Sequence, residues 1–81
     1  MIIKYFAWIK EITSCDKENL DSSEINTLND LKLYLTNKYP DLKKHFEQNI
    51  FRFAINQEYT PVNIKLHQND EIAIFPPVSG G

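Results

Sequence analysis

The sequence predicts an α+β domain in which one main helix packs on one face of a mixed sheet. Three segments rich in β-branched and aromatic residues alternate as strands do, at residues 2–9, 51–56 and 71–75. Between the first two, residues 27–39 repeat their apolar side chains at helical spacing. A single helix covers only one side of such a sheet, so the residues on the other side carry information about function.

The length and composition predict one small domain. The chain has 81 residues, and its 9 basic and 11 acidic residues are interspersed, with a net charge of −2. No basic patch predicts nucleic-acid binding, and the longest apolar run, residues 5–9, is far shorter than the roughly 20 residues that cross a bilayer. The one cysteine, Cys15, is typical of a reducing compartment. We therefore expect a cytoplasmic protein with no nucleic-acid or membrane partner.

The first strand sets the orientation of the sheet. If Lys4 faces water, Phe6 and Trp8 share its face. The opposite, inward face then carries Ile3, Tyr5, Ala7 and Ile9. Residues 13–23 are polar, with Leu20 as their only large apolar residue, and they predict a turn followed by a poor edge strand.

The helix begins with a capping signal, since Thr27 is followed three residues later by Asp30. Its apolar residues are Leu28, Leu31, Tyr34 and Leu35. The pattern ends at Tyr39, because Pro40 pushes the preceding residue out of the helical region. One further short turn is expected to hold Leu42, His45 and Phe46.

Two strong strands follow, with a weak one between them. The inward positions of residues 51–56 are Phe51, Phe53 and Ile55, opposite Arg52 and Ala54. Residues 59–64 contain Pro61, which has no amide hydrogen for a ladder, so they predict only a short or edge strand. Residues 71–75 predict the third strong strand, ending at Pro76.

Charged residues indicate which face of each strand points to water. Placing Lys4, Arg52 and Glu71 outward also places a group of apolar side chains outward: Phe6, Trp8, Ala54, Ala73 and Phe75. Contiguous exposed apolar surface on a small protein usually marks a docking site. The alternative is that loops cover the rings, or that one strand has the opposite register. The pattern favours a docking surface for another protein.

The titratable residues show no pattern typical of catalysis. The acidic residues form no pair at a spacing suited to acid–base chemistry. Cys15, His45 and His67 do not have metal-ligand spacing, so we expect no metal site. Cys15 also lies beside Asp16, which disfavours a thiolate and indicates a structural or incidental cysteine. No glycine-rich phosphate loop is present, so we expect no bound cofactor.

The two glycines, Gly80 and Gly81, are the last two residues of the sequence and lie shortly after two prolines. Prolines favour extended geometry, so we divide the chain into a domain, residues 1–75, and a flexible tail, residues 76–81, that reaches roughly 20 Å. Such a tail would deliver the Gly81 carboxylate into the active site of another protein. A carboxylate is a poor electrophile and needs activation, most simply as a mixed anhydride with AMP, by a partner that binds ATP. The alternative interpretation is an uninformative frayed or truncated end.

Three segments resemble the sulfur-carrier subunits of molybdopterin synthase, a ubiquitin-like β-grasp family. Residues 70–81 resemble the C-terminal signature of that family, residues 6–12 resemble its first strand and the short helix after it, and residues 54–57 resemble its central strand. Lys10 stands where the family usually has arginine, and residues 13–23 match only in length. The resemblance implies a β-grasp fold.

The resemblance also implies a cycle of sulfur transfer in molybdenum cofactor biosynthesis. A ubiquitin-activating-like adenylyltransferase consumes ATP to adenylate the Gly81 carboxylate, and sulfur from a persulfide donor displaces AMP to leave a thiocarboxylate. The tail residues Val78, Ser79, Gly80 and Gly81 then enter the large subunit of the synthase, where the sulfur attacks cyclic pyranopterin monophosphate to build the molybdopterin dithiolene. The chain is then a non-catalytic sulfur donor in a heterotetramer, and its docking contacts with both partners are Phe6, Tyr59 and Phe75.

Three alternatives stay open. A sulfur carrier for thiamine thiazole synthesis shares the fold and the terminal glycines, but its chains are typically shorter and do not have the Pro-Pro-Val-Ser approach to the glycines. A protein modifier, joined through Gly81 to lysines of its targets, would use the same acyl-adenylate. A β-grasp binding module with an inert tail would tolerate deletion of that tail.

Overall fold

Five strands and three α-helices make up the described part of the chain, which covers residues 1–21, 23–60 and 62–77 of a computed structural model. The strands are β1 (Ile2–Tyr5), β2 (Lys17–Asn19), β3 (Arg52–Ile55), β4 (Glu58–Thr60) and β5 (Glu71–Phe75). The helices are α1 (Ile9–Thr13), α2 (Leu28–Lys38) and α3 (Lys43–Glu47), with a 3-10 turn at Pro40–Leu42 before α3. The predicted tail residues 78–81, together with Ser22 and Pro61, lie outside the described residues.

The strands form one mixed sheet in the order β2-β1-β5-β3-β4. β5 runs parallel to β1, with Ile72 opposite Ile3, and antiparallel to β3, with Ile74 opposite Phe53. The central strand, β5, is therefore the last in sequence of the described strands, and the short strands β2 and β4 form the edges. This arrangement confirms the predicted α+β class and the mixed sheet.

The helix α2 packs on one face of the sheet, as predicted. Its capping box is formed, because the Asp30 amide donates to Thr27 Oγ1 at 3.1 Å and the Thr27 amide donates to Asp30 Oδ2 at 3.1 Å. The core joins leucines of α2 to inward residues of the long strands: Ile3, Tyr5, Leu28, Leu31, Leu35, Phe53, Ile55, Ile72 and Ile74. The intervening strand residues are half-buried or exposed, so the second face of the sheet is more open than the first.

The first strand is shorter than the sequence pattern predicts. β1 ends at Tyr5, and the Phe6 amide makes one further bond to a β5 carbonyl at 3.1 Å. Ala7 then has a φ of 56°, in the left-handed region, and Ile9 begins α1. The prediction of a strand over residues 2–9 with Ala7 facing inward is therefore wrong, and Ala7 is exposed. The left-handed residue turns the chain and ends the strand. The buried residues before and after it are still spaced as in a strand, so the sequence pattern does not show the turn.

The remaining elements follow the predictions more closely. The polar residues 13–23 hold the edge strand β2, and residues 59–64 overlap the other edge strand, β4. The strands predicted at residues 51–56 and 71–75 are β3 and β5, whose inward positions are buried as expected. After the 3-10 turn, α3 is longer than the single turn predicted there. None of the helices in the described ranges is long and apolar enough to span a bilayer.

One carboxylate fastens the edge strand β2 to the helical layer. Glu18 accepts hydrogen bonds from the Tyr5 hydroxyl, from the Tyr39 hydroxyl at 2.9 Å and from Lys38 Nζ at 2.6 Å. Burial acts to raise the pKa of Glu18, but these three donors outweigh it and hold the pKa below its ordinary value. Burial and the same carboxylate raise the pKa of Tyr39 to about 12. The ionised form of Glu18 is thus the one that the fold stabilises.

Candidate functional site

The face of the sheet that points away from α2 carries a row of small side chains. Ala54 lies opposite Ala73 of β5, which in turn lies opposite Lys4 of β1, and Tyr59 lies opposite Ala54 on the other side. Lys4 pairs with Glu71 on the same face, with Nζ and Oε1 3.2 Å apart. The middle of this face therefore carries small apolar side chains, with a tyrosine on one side of them and an ion pair on the other.

Near the end of β5 the face opens into a shallow hollow of about 450 Å³, which we call the apolar depression. It is lined by Phe6, Ala7, Ala73, Phe75, Pro76 and Pro77. None of these side chains carries a charge, and Phe6 is 45% exposed. Exposed apolar surface gains free energy when it is covered, so the depression is suited to receive apolar side chains of a partner protein.

The structure brings two of the predicted docking residues together and separates the others. Phe6 and Phe75 line the same depression. Tyr59 is 58% exposed on the same face, but it lies on β4, two strands and roughly 10 Å from β5. Trp8 does not share this surface, because its ring packs against His45 of α3 with the ring centroids 5.0 Å apart. Trp8 is 39% exposed, as predicted, but it does not line the depression with Phe6, since the chain has already turned before Trp8.

The apolar depression lies where the chain leaves the sheet. Pro76 and Pro77 directly follow β5 and also line the depression, so this surface and the start of the tail are continuous. Residues 78–81, which the sequence predicts to carry the reacting carboxylate into a partner, lie outside the described residues. A partner that fills the depression would hold the chain at the point from which its tail begins.

A polar loop fixes the other end of β5. Asn56 and Gln57 have φ angles of 51° and 71°, so the turn between β3 and β4 uses the left-handed region twice. Asn56 Nδ2 donates to Asp70 Oδ1 at 2.9 Å, and the amide of Glu71 donates to Asn56 Oδ1 at 3.0 Å. Burial acts to raise the pKa of Asp70, but hydrogen bonds from Asn56 and the His67 amide outweigh it and hold the pKa below its ordinary value. The sequence pattern places Asn56 at the end of a strand, and the family resemblance also includes it, but neither predicts its contact with Asp70.

The titratable side chains do not gather at the apolar depression. Cys15 is half-buried with a free thiol, His67 is exposed, and His45 lies in the aromatic cluster with Trp8. Within residues 1–21, 23–60 and 62–77, no three His, Cys, Asp or Glu side chains are grouped so as to hold a metal ion.

Comparison with known proteins gives concordant likenesses over the whole chain. The sequence model of the ThiS family matches residues 3–81. The molybdopterin synthase sulfur carrier subunit of Dictyostelium discoideum is 38% identical over 98% of this chain and 93% of its own, and the human subunit of the same name is 36% identical over 98% and 91%. The solution structure of small archaeal modifier protein 1 from Methanosarcina acetivorans superposes with a TM-score of 0.78 at 30% identity, covering 99% of this chain and 94% of the other. The expected β-grasp fold is confirmed.

Proposed function

Because the chain belongs to the ThiS family, we propose that it is the sulfur carrier subunit of a molybdopterin synthase. The observation that carries this proposal is the likeness, over 98% of the chain, to the sulfur carrier subunits of Dictyostelium discoideum and human, at 38% and 36% identity. The continuity of the apolar depression with the start of the tail supports it, because a carrier must dock on its partners while its terminus reaches their active sites. The sites of reaction are proposed to be cytoplasmic.

The reacting group is proposed to be the carboxylate of Gly81, up to which the family match extends. A carboxylate oxygen attacks the α-phosphorus of ATP in an adenylyltransferase, pyrophosphate leaves, and the acyl carbon becomes electrophilic. The terminal sulfur of a persulfide then attacks that carbon and AMP leaves. A second thiol attacks the donor's own sulfur, so that a disulfide forms between the donor and that thiol and the chain is released with a thiocarboxylate at Gly81.

The second half of the cycle takes place in the synthase large subunit. Residues 78–81 thread into its active site, and glycine at positions 80 and 81 suits a narrow channel because it has no Cβ. The thiocarboxylate sulfur attacks cyclic pyranopterin monophosphate to give a thioester, and water hydrolyses its acyl–sulfur bond, which leaves the sulfur on the pterin and returns Gly81 to a carboxylate. Two such deliveries build the dithiolene. This subunit supplies the sulfur and the docking surface, while the large subunit supplies the active site of a heterotetramer.

We propose that the apolar depression makes the main docking contact and that Tyr59 makes an additional one. Phe6 and Phe75 offer one continuous apolar surface, and Tyr59 extends the contact across the row of alanines. Both partners must capture the same tail, so both are proposed to cover this surface and to bind in turn. No metal or cofactor is required on this chain for such a role, since ATP is consumed by the adenylyltransferase.

The proposal is tested by the accurate mass of the C-terminal peptide. The purified chain is incubated with its adenylyltransferase, ATP and a persulfide donor, and the same mixture without ATP is the control. Exchange of one terminal oxygen of Gly81 for sulfur, only with ATP, is expected. An unchanged peptide, with the adenylyltransferase active on another carrier, would contradict the proposal.

A second candidate function is conjugation to other proteins. The solved structure that shares 30% identity is called a modifier protein, and an acyl-adenylate at Gly81 can be attacked by a lysine amine as well as by a persulfide. Lysine adducts that depend on Gly81 in cell extracts would favour this function. Formation of the dithiolene separates the molybdopterin role from conjugation and from thiazole synthesis.

A further inference from the structure

A second cavity, of about 310 Å³, lies beside the docking face at the edge strand β4, and the described residues that line it include two cations and no carboxylate. We call it the cationic cavity, and the polar residues that line it are Lys32, Asn49, Arg52, Tyr59 and Thr60. The chain as a whole has a net charge of −2. A cavity with two positive charges and no acidic residue is therefore a local reversal of the charge of the protein.

Arg52 is held in place by backbone carbonyls and not by an acid. Its Nη1 donates to the carbonyl oxygens of Asn49 at 2.9 Å, Ile50 at 3.3 Å and Phe51 at 3.4 Å. In the described part of the chain, no carboxylate lies within ion-pair distance of Arg52. A guanidinium has five N–H donors, so the Nε and Nη2 donors remain for an external acceptor. The cation is thus positioned before any partner arrives, which lowers the entropic cost of binding.

Lys32 is a second cation that forms no ion pair with a described residue. Its Nζ lies 5.0 Å from the centroid of the Phe53 ring, and none of the ion pairs among the described residues includes it. It stands one turn after Leu28, whose buried side chain places this side of α2 against the sheet. By contrast, Lys4 on the docking face is neutralised by Glu71.

The cationic cavity borders the proposed docking surface at Arg52 and Tyr59. Arg52 lies directly opposite Phe75 in the sheet register, and both side chains occupy outward positions. Tyr59 lines the cavity and also stands at the end of the alanine row. A protein that covers both Phe75 and Tyr59 therefore also covers Arg52.

We propose that the cationic cavity receives a carboxylate side chain of the synthase large subunit when that subunit docks on the apolar depression. This inference rests on the proposed function. A carboxylate fits because it can accept two parallel hydrogen bonds from one guanidinium. The contact would steer the two proteins together and fix their register, since charged contacts at the rim of an apolar interface act mainly in these ways.

The test measures the dissociation constant for the large subunit at two salt concentrations. The variants are Arg52→Gln, Arg52→Lys and Lys32→Gln, and Lys44→Gln on the exposed side of α3 is the control with the same change of charge. At low ionic strength we expect the dissociation constant to rise about ten-fold in Arg52→Gln and about three-fold in Lys32→Gln, and at high salt all of the proteins should converge. Arg52→Lys should recover part of the affinity, and Lys44→Gln should match the wild type.

The outcomes separate this inference from the proposed function. If the wild type binds the large subunit and Arg52→Gln and Lys32→Gln bind as Lys44→Gln does at both salt concentrations, the inference is wrong and the proposed function stands. If the wild type does not bind the large subunit, both are wrong. If the variants weaken binding of the adenylyltransferase alone, the carboxylate belongs to another partner and the inference is again wrong. Lys32→Gln keeps the test valid if loss of the Arg52 hydrogen bonds unfolds the 49–51 loop, because Lys32 makes no hydrogen bond to that loop.

Discussion

Replacing Phe6 with alanine should weaken docking of the large subunit while leaving the chain folded. Phe6 is 45% exposed, and an aromatic side chain presents on the order of 200 Å², so about 90 Å² is available for a partner to cover. At about 25 cal/mol per Å² this area is worth about 2 kcal/mol, which corresponds to about a thirty-fold rise in the dissociation constant. Isothermal titration calorimetry with the large subunit measures that constant. The heat capacity change of binding should also become less negative, because less apolar surface is buried.

A matched control comes from the other side of the sheet. Leu33 on α2 is 63% exposed, so Leu33→Ala removes a comparable exposed apolar side chain far from the apolar depression. Its dissociation constant should equal that of the wild type, and urea unfolding should show that both variants are folded. The reasoning is refuted if folded Phe6→Ala binds within two-fold of the wild type, or if Leu33→Ala weakens binding as much as Phe6→Ala does.

Three further predictions concern the edge strand, the helix and the tail. Glu18→Gln should lower the free energy of unfolding by about 1 to 3 kcal/mol at neutral pH. Because the folded-state pKa of Glu18 is lowered, its contribution is present at neutral pH and is lost as the pH falls through that value, so urea titrations of variant and wild type should converge in acid. Thr27→Ala should cost about 1 kcal/mol in the same assay through loss of the bond from the Asp30 amide, and an unchanged midpoint would contradict that role. Deletion of Gly81 should abolish sulfur loading without changing the affinity for the large subunit, and loading of the shortened chain would refute the assignment.

Local pattern was sufficient to predict most of the fold. The alternation of residues 51–56 and 71–75 and the capping box at Thr27 each lie within a few residues of chain, so local preference and tertiary structure agree there. The outward parity of Lys4 and Glu71 also predicted that Phe6 and Phe75 share a surface, which the structure confirms.

The errors and omissions arise where the backbone or distant residues decide the outcome. Ala7 adopts a left-handed φ that alanine rarely uses, so nothing in the alternation of residues 2–9 marked the end of β1 or the separation of Trp8. The three donors around Glu18 come from β1 and from the end of α2, and their convergence depends on the order of the strands. The cationic cavity was also missed, since Lys32 and Arg52 lie 20 residues apart in the sequence and meet only in the folded chain.

The central claim is that this chain gives up sulfur from its terminus to a pterin. It is tested most directly by mixing the thiocarboxylated chain with the large subunit and cyclic pyranopterin monophosphate, and by measuring dithiolene formation and the mass of the C-terminal peptide together. The account predicts that dithiolene forms and that the sulfur it gains is matched by the return of Gly81 to a carboxylate. Retention of the sulfur on Gly81 while the large subunit is bound and loaded with the pterin would contradict it.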